Sequence, residues 1–300
     1  MIENHTMQYM DVNTASRKWG ITGRRVRILC NDGRIDGAVR NGWSWLIPAD
    51  APKPGDGRVL RRFRNLDIRP GFVDVEALEE AREGVSVSDS SSSFVRLLPS
   101  TISYLFLLDG KEVSSEDVKV VLEGELCYSL SLQEHLLIVN FTSILKNLFH
   151  SRDKWNGGAL REIYIRLMQG IKESDGEYDR EYIESKDEEE KVSVKAAMET
   201  MLKQYEDSWS LLHPLSSSAI ISGEIGRISP YDTALSFFLY LVLSGELLRG
   251  GVLPPLLDSS LLFETKAAFS LVSSKGVYTD LTSLMERMVL RSYVEIKKNV

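Results

Sequence analysis

A stretch rich in proline and glycine, from Ala51 to Gly57, divides the chain into two parts with different patterns. Because proline and glycine interrupt regular structure, this stretch predicts the exit from a small first domain. Helical periodicity dominates from Phe94 onward, and 300 residues with 43% apolar composition suffice for packed cores. We therefore predict a mainly α protein with two domains, and we exclude a wholly disordered chain.

The segment between the two domains is polar and charged. We place the first domain at residues 1–52, a basic connector and serine-rich linker at 53–95, and an all-α domain at 96–300. Val85 to Ser93 contains too little apolar surface to offset the entropy of ordering, which predicts a surface linker. The charged run from Glu173 to Lys191 predicts a solvated loop. The predicted helices include Leu132 to Leu148, Ala159 to Ile171, Val192 to Trp209, Leu215 to Glu224, Thr233 to Leu248 and Thr279 to Lys297.

The composition argues against secretion, a membrane span and a metal site. The start of the chain has neither a charged n-region nor an apolar h-region, so we expect a cytoplasmic protein. The longest apolar stretch, Ala234 to Leu243, is about half as long as a bilayer span, which predicts a buried helix and no membrane partner. Cys30, Cys127 and the four histidines form no cluster in the sequence, so we predict neither a metal nor a cofactor.

Charge is distributed unevenly along the chain. The formal net charge of −7, taken alone, argues against a nucleic-acid partner. Through Arg64, however, 12 basic residues stand against 6 acidic ones, a balance of +6 that leaves −13 for the remainder. Such asymmetry indicates a basic binding module joined to an acidic body, which we expect to confine nucleic-acid contact to the first 64 residues.

Two short helices are predicted near the start of the chain. Asp11 caps the first helix, and Gly20 tolerates the left-handed conformation at its end. Thr22 caps a second helix, Gly23 to Asn31. Two short helices joined by a three-residue turn form a helix-turn-helix arrangement. The apolar face of the first helix consists of Val12, Ala15 and Trp19.

The second helix has an apolar stripe and an arginine face. Val26, Leu29 and Cys30 fall within about 100° of one another on a helix, which predicts that they face the core. Arginines on the opposite face pair with guanine edges or with phosphates. The alternative is that they only solvate a surface. The opposite face consists of Arg24, Arg27, Ile28 and Asn31, with Arg25 on its flank.

A β-hairpin is predicted next. Ile35 to Arg40 and Trp43 to Ile47 flank Asn41-Gly42, a pair that favours the two positive φ angles of a type I′ turn. This hairpin forms a wing beside the two helices. Trp43 and Trp45 share one face of its second strand, where they either pack in the small core or flank a nucleic-acid backbone.

Five segments of the first domain carry a resemblance: Tyr9 to Ala15, Trp19 to Thr22, Arg24 to Val26, Gly33 to Ala38 and Trp45 to Pro48. In this order they are similar to the excisionase-like, MerR-type winged helix-turn-helix. That resemblance implies binding of double-stranded DNA, with the second helix in the major groove and the wing on the backbone. A role in docking to proteins is the alternative. The candidate DNA-binding residues are Thr22, Arg24, Arg25, Arg27, Asn31, Arg40, Asn41 and Trp43.

The helical domain contains His213-Pro214-Leu215 followed by Gly223-Glu224-Ile225-Gly226-Arg227. These residues are similar to the Fic family signature, His-Pro-Phe-x-Asp/Glu-Gly-Asn-Gly-Arg. In that family the histidine takes a proton from a target hydroxyl, the glycine-rich turn holds nucleotide phosphates at a helix N-terminus, and the acidic residue holds magnesium. His213 and Arg227 are fourteen positions apart, whereas the signature requires eight, so this register fails.

A better register begins at Ser229. There serine stands in place of the histidine, Tyr231 replaces phenylalanine, and Thr233 leads into the apolar helix without Gly-Asn-Gly-Arg. The alternative is that Ser229-Pro230 is only a turn at a helix start. We predict no catalytic residue. The vestigial site consists of Ser229, Pro230, Tyr231 and Asp232.

Other segments extend the resemblance. Asp109-Gly110 and Glu123-Gly124 match the last two positions of the family's inhibitory Ser/Thr-x-x-x-Glu-Gly/Asn helix. Leu105 and Lys119 stand where that helix has serine or threonine, so we predict that both acidic residues are ordinary surface groups. Further similar segments are Ser114 to Glu125, Ser131 to His135, Gly250 to Leu256 and Asp280 to Met288.

Together the two resemblances imply a cytoplasmic DNA-binding protein, a transcriptional regulator whose Fic-like domain is a pseudoenzyme. That domain would serve interaction or dimerisation, so a homo-oligomer is expected. The alternative is a Fic-type transferase of AMP to protein hydroxyls that uses a rearranged site, with His213 as the base.

Overall fold

The computed structural model describes residues 9–31, 35, 37–41, 44–49, 51, 73–183 and 192–299. The chain divides into two compact units, Met1–Leu60 and Arg61–Val300. Its described residues are mainly helical, with two small sheets, which confirms the predicted fold class. The basic part of the predicted connector, Arg58 to Arg69, lies outside the described residues.

The first unit combines two helices with a three-stranded antiparallel sheet of order β1-β3-β2. Met10 pairs with Ile47 across β1 and β3, and Arg40 pairs with Trp45 across β2 and β3. The elements are β1 (Tyr9–Met10), α1 (Val12–Trp19), α2 (Gly23–Asn31), β2 (Val39–Asn41) and β3 (Ser44–Pro48).

The predicted caps of α1 and α2 are present. The Asp11 carboxylate accepts a hydrogen bond from the Thr14 N–H at 2.7 Å, and Gly20 ends α1 with a φ of +63°. The Thr22 hydroxyl accepts one from the Arg25 N–H at 3.3 Å. The predicted apolar stripes of both helices are buried with two hairpin residues in one core, formed by Met10, Val12, Ala15, Trp19, Val26, Leu29, Cys30, Ile35, Ile47 and Ala51.

The hairpin differs from its prediction in two respects. Asn41 is not a turn residue but pairs with Ser44, so the connection consists of residues 42 and 43, which lie outside the described residues. This register keeps Trp45 and Ile47 on the side of the core. The first strand of the hairpin is predicted from Ile35 but begins only at Val39, because Gly37, with a φ of +72°, is not in an extended conformation.

The second unit is built around two helices that follow each other in the chain. α10 is buried along most of its length, and α11 contains the apolar stretch predicted as a core helix. α5, α7 and α8 pack on α11, while α9, α12 and α13 pack on α10. The helices are α3 (Val75–Arg82), α4 (Ser91–Arg96), α5 (Pro99–Leu108), α6 (Ser115–Leu122), α7 (Leu132–Leu148), α8 (Gly157–Leu167), α9 (Val194–Asp207), α10 (Pro214–Ile228), α11 (Leu235–Arg249), α12 (Leu262–Lys275) and α13 (Thr279–Asn299), with 3₁₀ turns at Ser88–Ser90, Trp209–Leu211 and Ser259–Leu261 and a two-stranded sheet of β4 (Tyr182–Ile183) and β5 (Val192–Ser193).

The composition of the serine-rich stretch Val85 to Ser93 predicts a surface linker, but the structure shows ordered helical turns there. It forms a 3₁₀ turn and the start of α4, because Val87 and Phe94 on either side are buried. Its serines bond locally, as in the hydrogen bond from the Ser90 hydroxyl to the Ser86 carbonyl at 2.7 Å. A polar run therefore becomes ordered where its flanking apolar residues are anchored.

Within the described residues no helix combines the length and the apolar character that a membrane span requires.

Candidate functional site

The predicted arginine face of α2 is turned away from the core. Arg24 and Arg27 are exposed and Arg25 is half-buried, while Val26 on the opposite side has no exposed surface. Ile28, 37% exposed, lies between the arginines. Cations beside an apolar side chain suit a DNA groove, where phosphates and thymine methyl groups lie close together.

Of the other candidate DNA-binding residues, two have described side chains. Thr22 is exposed, and its oxygen caps α2 while its O–H stays able to donate. Arg40 is exposed on β2. Trp45 packs against the core, in line with the core alternative for this residue. The side chains of Asn31 and Asn41 and the whole of Trp43 lie outside the described part of the chain.

The predicted vestigial site, Ser229 to Asp232, lies in the loop between α10 and α11. Ser229 and Ala234 both adopt the left-handed conformation, with φ of +51° and +54°. In the register that begins at Ser229, Ala234 occupies the place of the signature's first glycine. The sequence predicts that Thr233 leads straight into the helix, but the left-handed Ala234 comes between them. The turn is therefore present although it contains no glycine.

Tyr231 anchors this loop in the core. Its ring is 1% exposed and stacks on Tyr164 with centroids 3.5 Å apart. Its hydroxyl donates to the Gly176 carbonyl at 3.2 Å. Burial raises the pKa of Tyr231, so its hydroxyl remains protonated and has a structural hydrogen bond rather than a role as a base.

The described part of the predicted solvated loop, residues 173–183, contacts the same site. The Asp179 N–H donates to the Pro230 carbonyl, and the Asp232 N–H donates to the Asp179 carboxylate, both at 3.0 Å. Arg180 forms an ion pair with Asp232 at 2.5 Å. Burial opposes ionisation of Asp179, but hydrogen bonds from Lys172 and the Asp232 N–H outweigh it and lower the pKa. The loop between α10 and α11 is therefore held by the segment 173–183, which lies about fifty residues earlier in the chain. The charge pattern of the sequence does not indicate this contact.

Asp109 is predicted to be an ordinary surface group, and this prediction is wrong. One oxygen of its carboxylate accepts a hydrogen bond from the Ser236 N–H in the first turn of α11 at 3.1 Å, and the other is buried with no hydrogen-bond partner among the described residues. Burial raises the pKa of Asp109. A carboxylate thus occupies the helix N-terminus to which anions bind, the position that the Fic signature assigns to phosphate. Glu123, by contrast, is exposed as predicted.

A cavity of about 620 Å³ lies beside this helix start. Its polar lining includes Asp109, Lys111, Gln133, Arg180 and Asp232. The cavity has room for a small molecule, but its acidic residues offset its cations. At the position of the signature's histidine this chain has Ser229, which is not a base. The N-terminus of α11 is occupied by the Asp109 carboxylate of the same chain.

The residues that match the signature in its first register, which begins at His213, have structural roles. Gly223 to Arg227 lies inside α10 and forms no loop. His213 caps the N-terminus of α10, where its Nδ1 accepts a hydrogen bond from the Leu215 N–H at 3.3 Å. Burial lowers the pKa of its imidazole. With fifteen residues in α10, His213 stands about 22 Å from the loop that follows the helix.

These features define the second unit as a mainly α domain, with one two-stranded sheet and with a loop-to-helix turn that its own side chains occupy. No family model matches the chain, and no curated protein matches it. Solved structures do: a Fic-domain signalling protein from Bacteroides thetaiotaomicron has a TM-score of 0.59 at 15% identity, over 75% of this chain and 95% of that one. Fic-1 from C. elegans has a TM-score of 0.58 at 15% identity, over 75% and 72% of the two chains. A Fic family protein from Desulfovibrio desulfuricans has a TM-score of 0.51 at 16% identity, over 77% of both.

The matches cover about three quarters of this chain, far more than the first unit contains, so they fall mainly on the helical unit. At this identity they establish the fold alone. The second unit therefore has a Fic-like fold, as the sequence resemblance implies.

Proposed function

We propose that this protein binds double-stranded DNA through the exposed face of α2 and acts as a transcriptional regulator, while its Fic-like unit serves interaction or dimerisation. The observation that carries this proposal is the grouping of Arg24, Arg25 and Arg27 around the exposed Ile28. The same helix buries its other side in the core, and Arg24 and Arg27 are exposed on the opposite face.

The charge distribution supports the same conclusion. The first 64 residues have a balance of +6, and neutralising phosphates with such cations releases counterions, which drives association. Two short helices and a hairpin also match the geometry in which a second helix enters the major groove. A docking role for the first unit would not require a cationic helix face.

Three exposed apolar side chains that lie close together in the sequence support the interaction role of the helical unit. Leu126, Tyr128 and Leu132 are 73%, 96% and 74% exposed and lie within seven residues of one another. Large apolar side chains grouped on a surface mark contact sites for other proteins. A dimer formed through such a patch would place two α2 faces on one DNA molecule and raise affinity through effective concentration.

The transferase alternative receives less support. Ser229 stands where the signature has its base, and Asp109 occupies the helix N-terminus where phosphates would bind. His213 is committed to capping the other end of α10. A rearranged site would need a base near the 620 Å³ cavity, and no histidine is among the described residues that line it.

DNA binding by the full chain tests the proposal, by fluorescence anisotropy on genomic fragments over a range of salt concentrations. Arg24→Ala and Arg27→Ala should each weaken binding by about tenfold, because each loses a charged contact with DNA, and should flatten the salt dependence. Arg96→Ala, an exposed arginine of the helical unit, is the matched control and should bind like the parent. Binding that ignores salt, or an equal loss in all three variants, would refute the proposal.

A further inference from the structure

A second cavity, of about 320 Å³, lies within the helical unit between α5, α10, α11, α12 and α13. Its walls are almost entirely aliphatic and aromatic, and Leu239, Phe269 and Met285 are typical of them. Leu108 and Leu235 separate it from the larger cavity beside Asp109, since both residues line both spaces. The exposed Lys266 is also among its lining residues and marks the side on which it opens.

One polar group in this lining is deeply buried and poorly satisfied. Tyr104 is 1% exposed, and its hydroxyl forms no hydrogen bond of normal geometry within the described residues, although the Thr265 hydroxyl faces it. A buried hydroxyl without a well-formed hydrogen bond costs about 1–3 kcal/mol, so a better acceptor than the chain supplies is indicated. Burial raises the pKa of Tyr104 more than the Thr265 hydroxyl lowers it, which keeps the hydroxyl protonated and able to donate.

Two other hydroxyl groups around the cavity have hydrogen-bond partners. The Tyr240 hydroxyl donates to the Pro255 carbonyl at 2.7 Å, and the Ser222 hydroxyl donates to the Ser218 carbonyl, also at 2.7 Å. A buried water requires two to four polar partners, and a wall in which the Tyr104 and Thr265 hydroxyls stand among apolar side chains does not supply them for a cluster of waters. The space is therefore suited to an apolar molecule rather than to a water cluster.

We propose that this cavity binds a small apolar molecule, neutral and one or two rings in size, that carries a single carbonyl-type oxygen and accepts a hydrogen bond from Tyr104. The volume lies at the lower end of small-molecule sites, roughly 300–1,000 Å³, and the pattern of an apolar wall with few polar groups is typical of them. The proposal goes beyond DNA binding and does not depend on it.

Two bicyclic probes of the same shape test it, 1-tetralone with its ketone oxygen and tetralin without one. Titration of the full chain is followed by NMR of ¹³C-labelled methionine methyl groups. Met285 and Met288 line the cavity, whereas Met198 and Met201 are buried in α9 outside it. We expect saturable shifts of the first pair alone, and tighter binding of 1-tetralone than of tetralin.

Variants then test the donor. Tyr104→Phe removes only a poorly satisfied hydroxyl, so the variant should fold, and it should weaken 1-tetralone about fivefold while leaving tetralin unchanged. Tyr240→Phe, in the same wall, should leave the preference for the ketone intact, because that hydroxyl already bonds to Pro255. Absence of shifts at Met285 and Met288 with both probes, or a ketone preference that survives Tyr104→Phe, would overturn the proposal.

Discussion

Ser229 and Ala234 are the two residues of the described chain, other than glycines, that adopt a positive φ. A left-handed conformation costs a residue with a β-carbon about 1–2 kcal/mol, so the surrounding contacts must maintain it. Those contacts are present, because Pro230 and Asp232 bond to Asp179 and the Ser236 N–H bonds to Asp109. Single residues far apart in the sequence thus determine the conformation of this loop.

Asp109 gives a prediction at this scale. Burial raises the pKa of its carboxyl above the ordinary value of 3.8, so the folded state holds this proton more tightly than the unfolded state. Stability therefore falls as the pH rises from 3.8 through the raised pKa. Asp109→Asn keeps an oxygen that can accept from the Ser236 N–H, and should be more stable than the parent at pH 7 but not at pH 3, as urea unfolding at each pH would measure.

Asp117→Asn is the matched control with the opposite sign. Hydrogen bonds from Ser129, Cys127 and Ser114 lower the pKa of Asp117, so its ionised form stabilises the fold at neutral pH, and the variant should lose stability there. If both variants respond alike to pH, the role assigned to burial at Asp109 is wrong.

Sequence patterns predict individual residues well where the interaction is local. The caps at Asp11 and Thr22 and the glycine at Gly20 follow from contacts within four residues, and all three are confirmed. Asp109 and Arg180 gain their roles only through contacts with residues more than fifty positions away, so no local pattern indicates them.

At the scale of elements, α10 and α11 each contain a buried Glu–Arg pair one turn apart. Glu246, fully buried, pairs with Arg249 at 2.5 Å and also accepts hydrogen bonds from the Tyr205 and Ser217 hydroxyls. Glu224 pairs with Arg227 in the same way. The glycine before each glutamate admits an aromatic ring: a β-carbon at Gly223 would lie 2.8 Å from the Tyr278 ring, and one at Gly245 would lie 2.3 Å from the Trp155 ring. The Gly-Glu motif that resembles part of a catalytic signature thus has a structural role here.

Arg249→Met should lower the free energy of unfolding by about 3 kcal/mol, because it leaves the Glu246 carboxylate buried without its cation. The matched control is Arg287→Met, since Arg287 pairs with Glu264 and both side chains are about half exposed. That variant should cost less than about 1 kcal/mol. Equal losses in the two variants, measured by urea unfolding, would show that burial of the first pair contributes nothing.

Sequence patterns predict the long helices and miss two weaker ones, α3 in the predicted connector and linker and α12 in the helical domain. The bounds of α7, Leu132–Leu148, are as predicted, because Ser131 and Glu134 form a capping box and the apolar periodicity is strong. α12 is missed, since its buried residues, Thr265, Ala268 and Val272, are small, while Phe263 is 84% exposed. A helix that contributes small side chains to the core leaves little periodic signal.

At the scale of the whole molecule, the proposed DNA binding makes a prediction from the uneven distribution of charge. Because the residues after Arg64 carry −13, we expect them to repel a polyanion and to restrict its contact to the first unit. Hydrogen exchange of the full chain with and without duplex DNA should therefore show protection in α1, α2 and the hairpin, and none in α5 to α13. Protection spread over the helical unit would contradict this prediction, and a DNA that lacks the recognised sequence serves as the control.

The loop between α10 and α11 also limits how this chain could change over evolution. Recovering an anion-binding turn would require a glycine for Ala234, the removal of the Asp109 carboxylate and the release of Asp232 from Asp179 and Arg180. These changes lie on separate elements. A single substitution therefore does not create an anion site at this helix start.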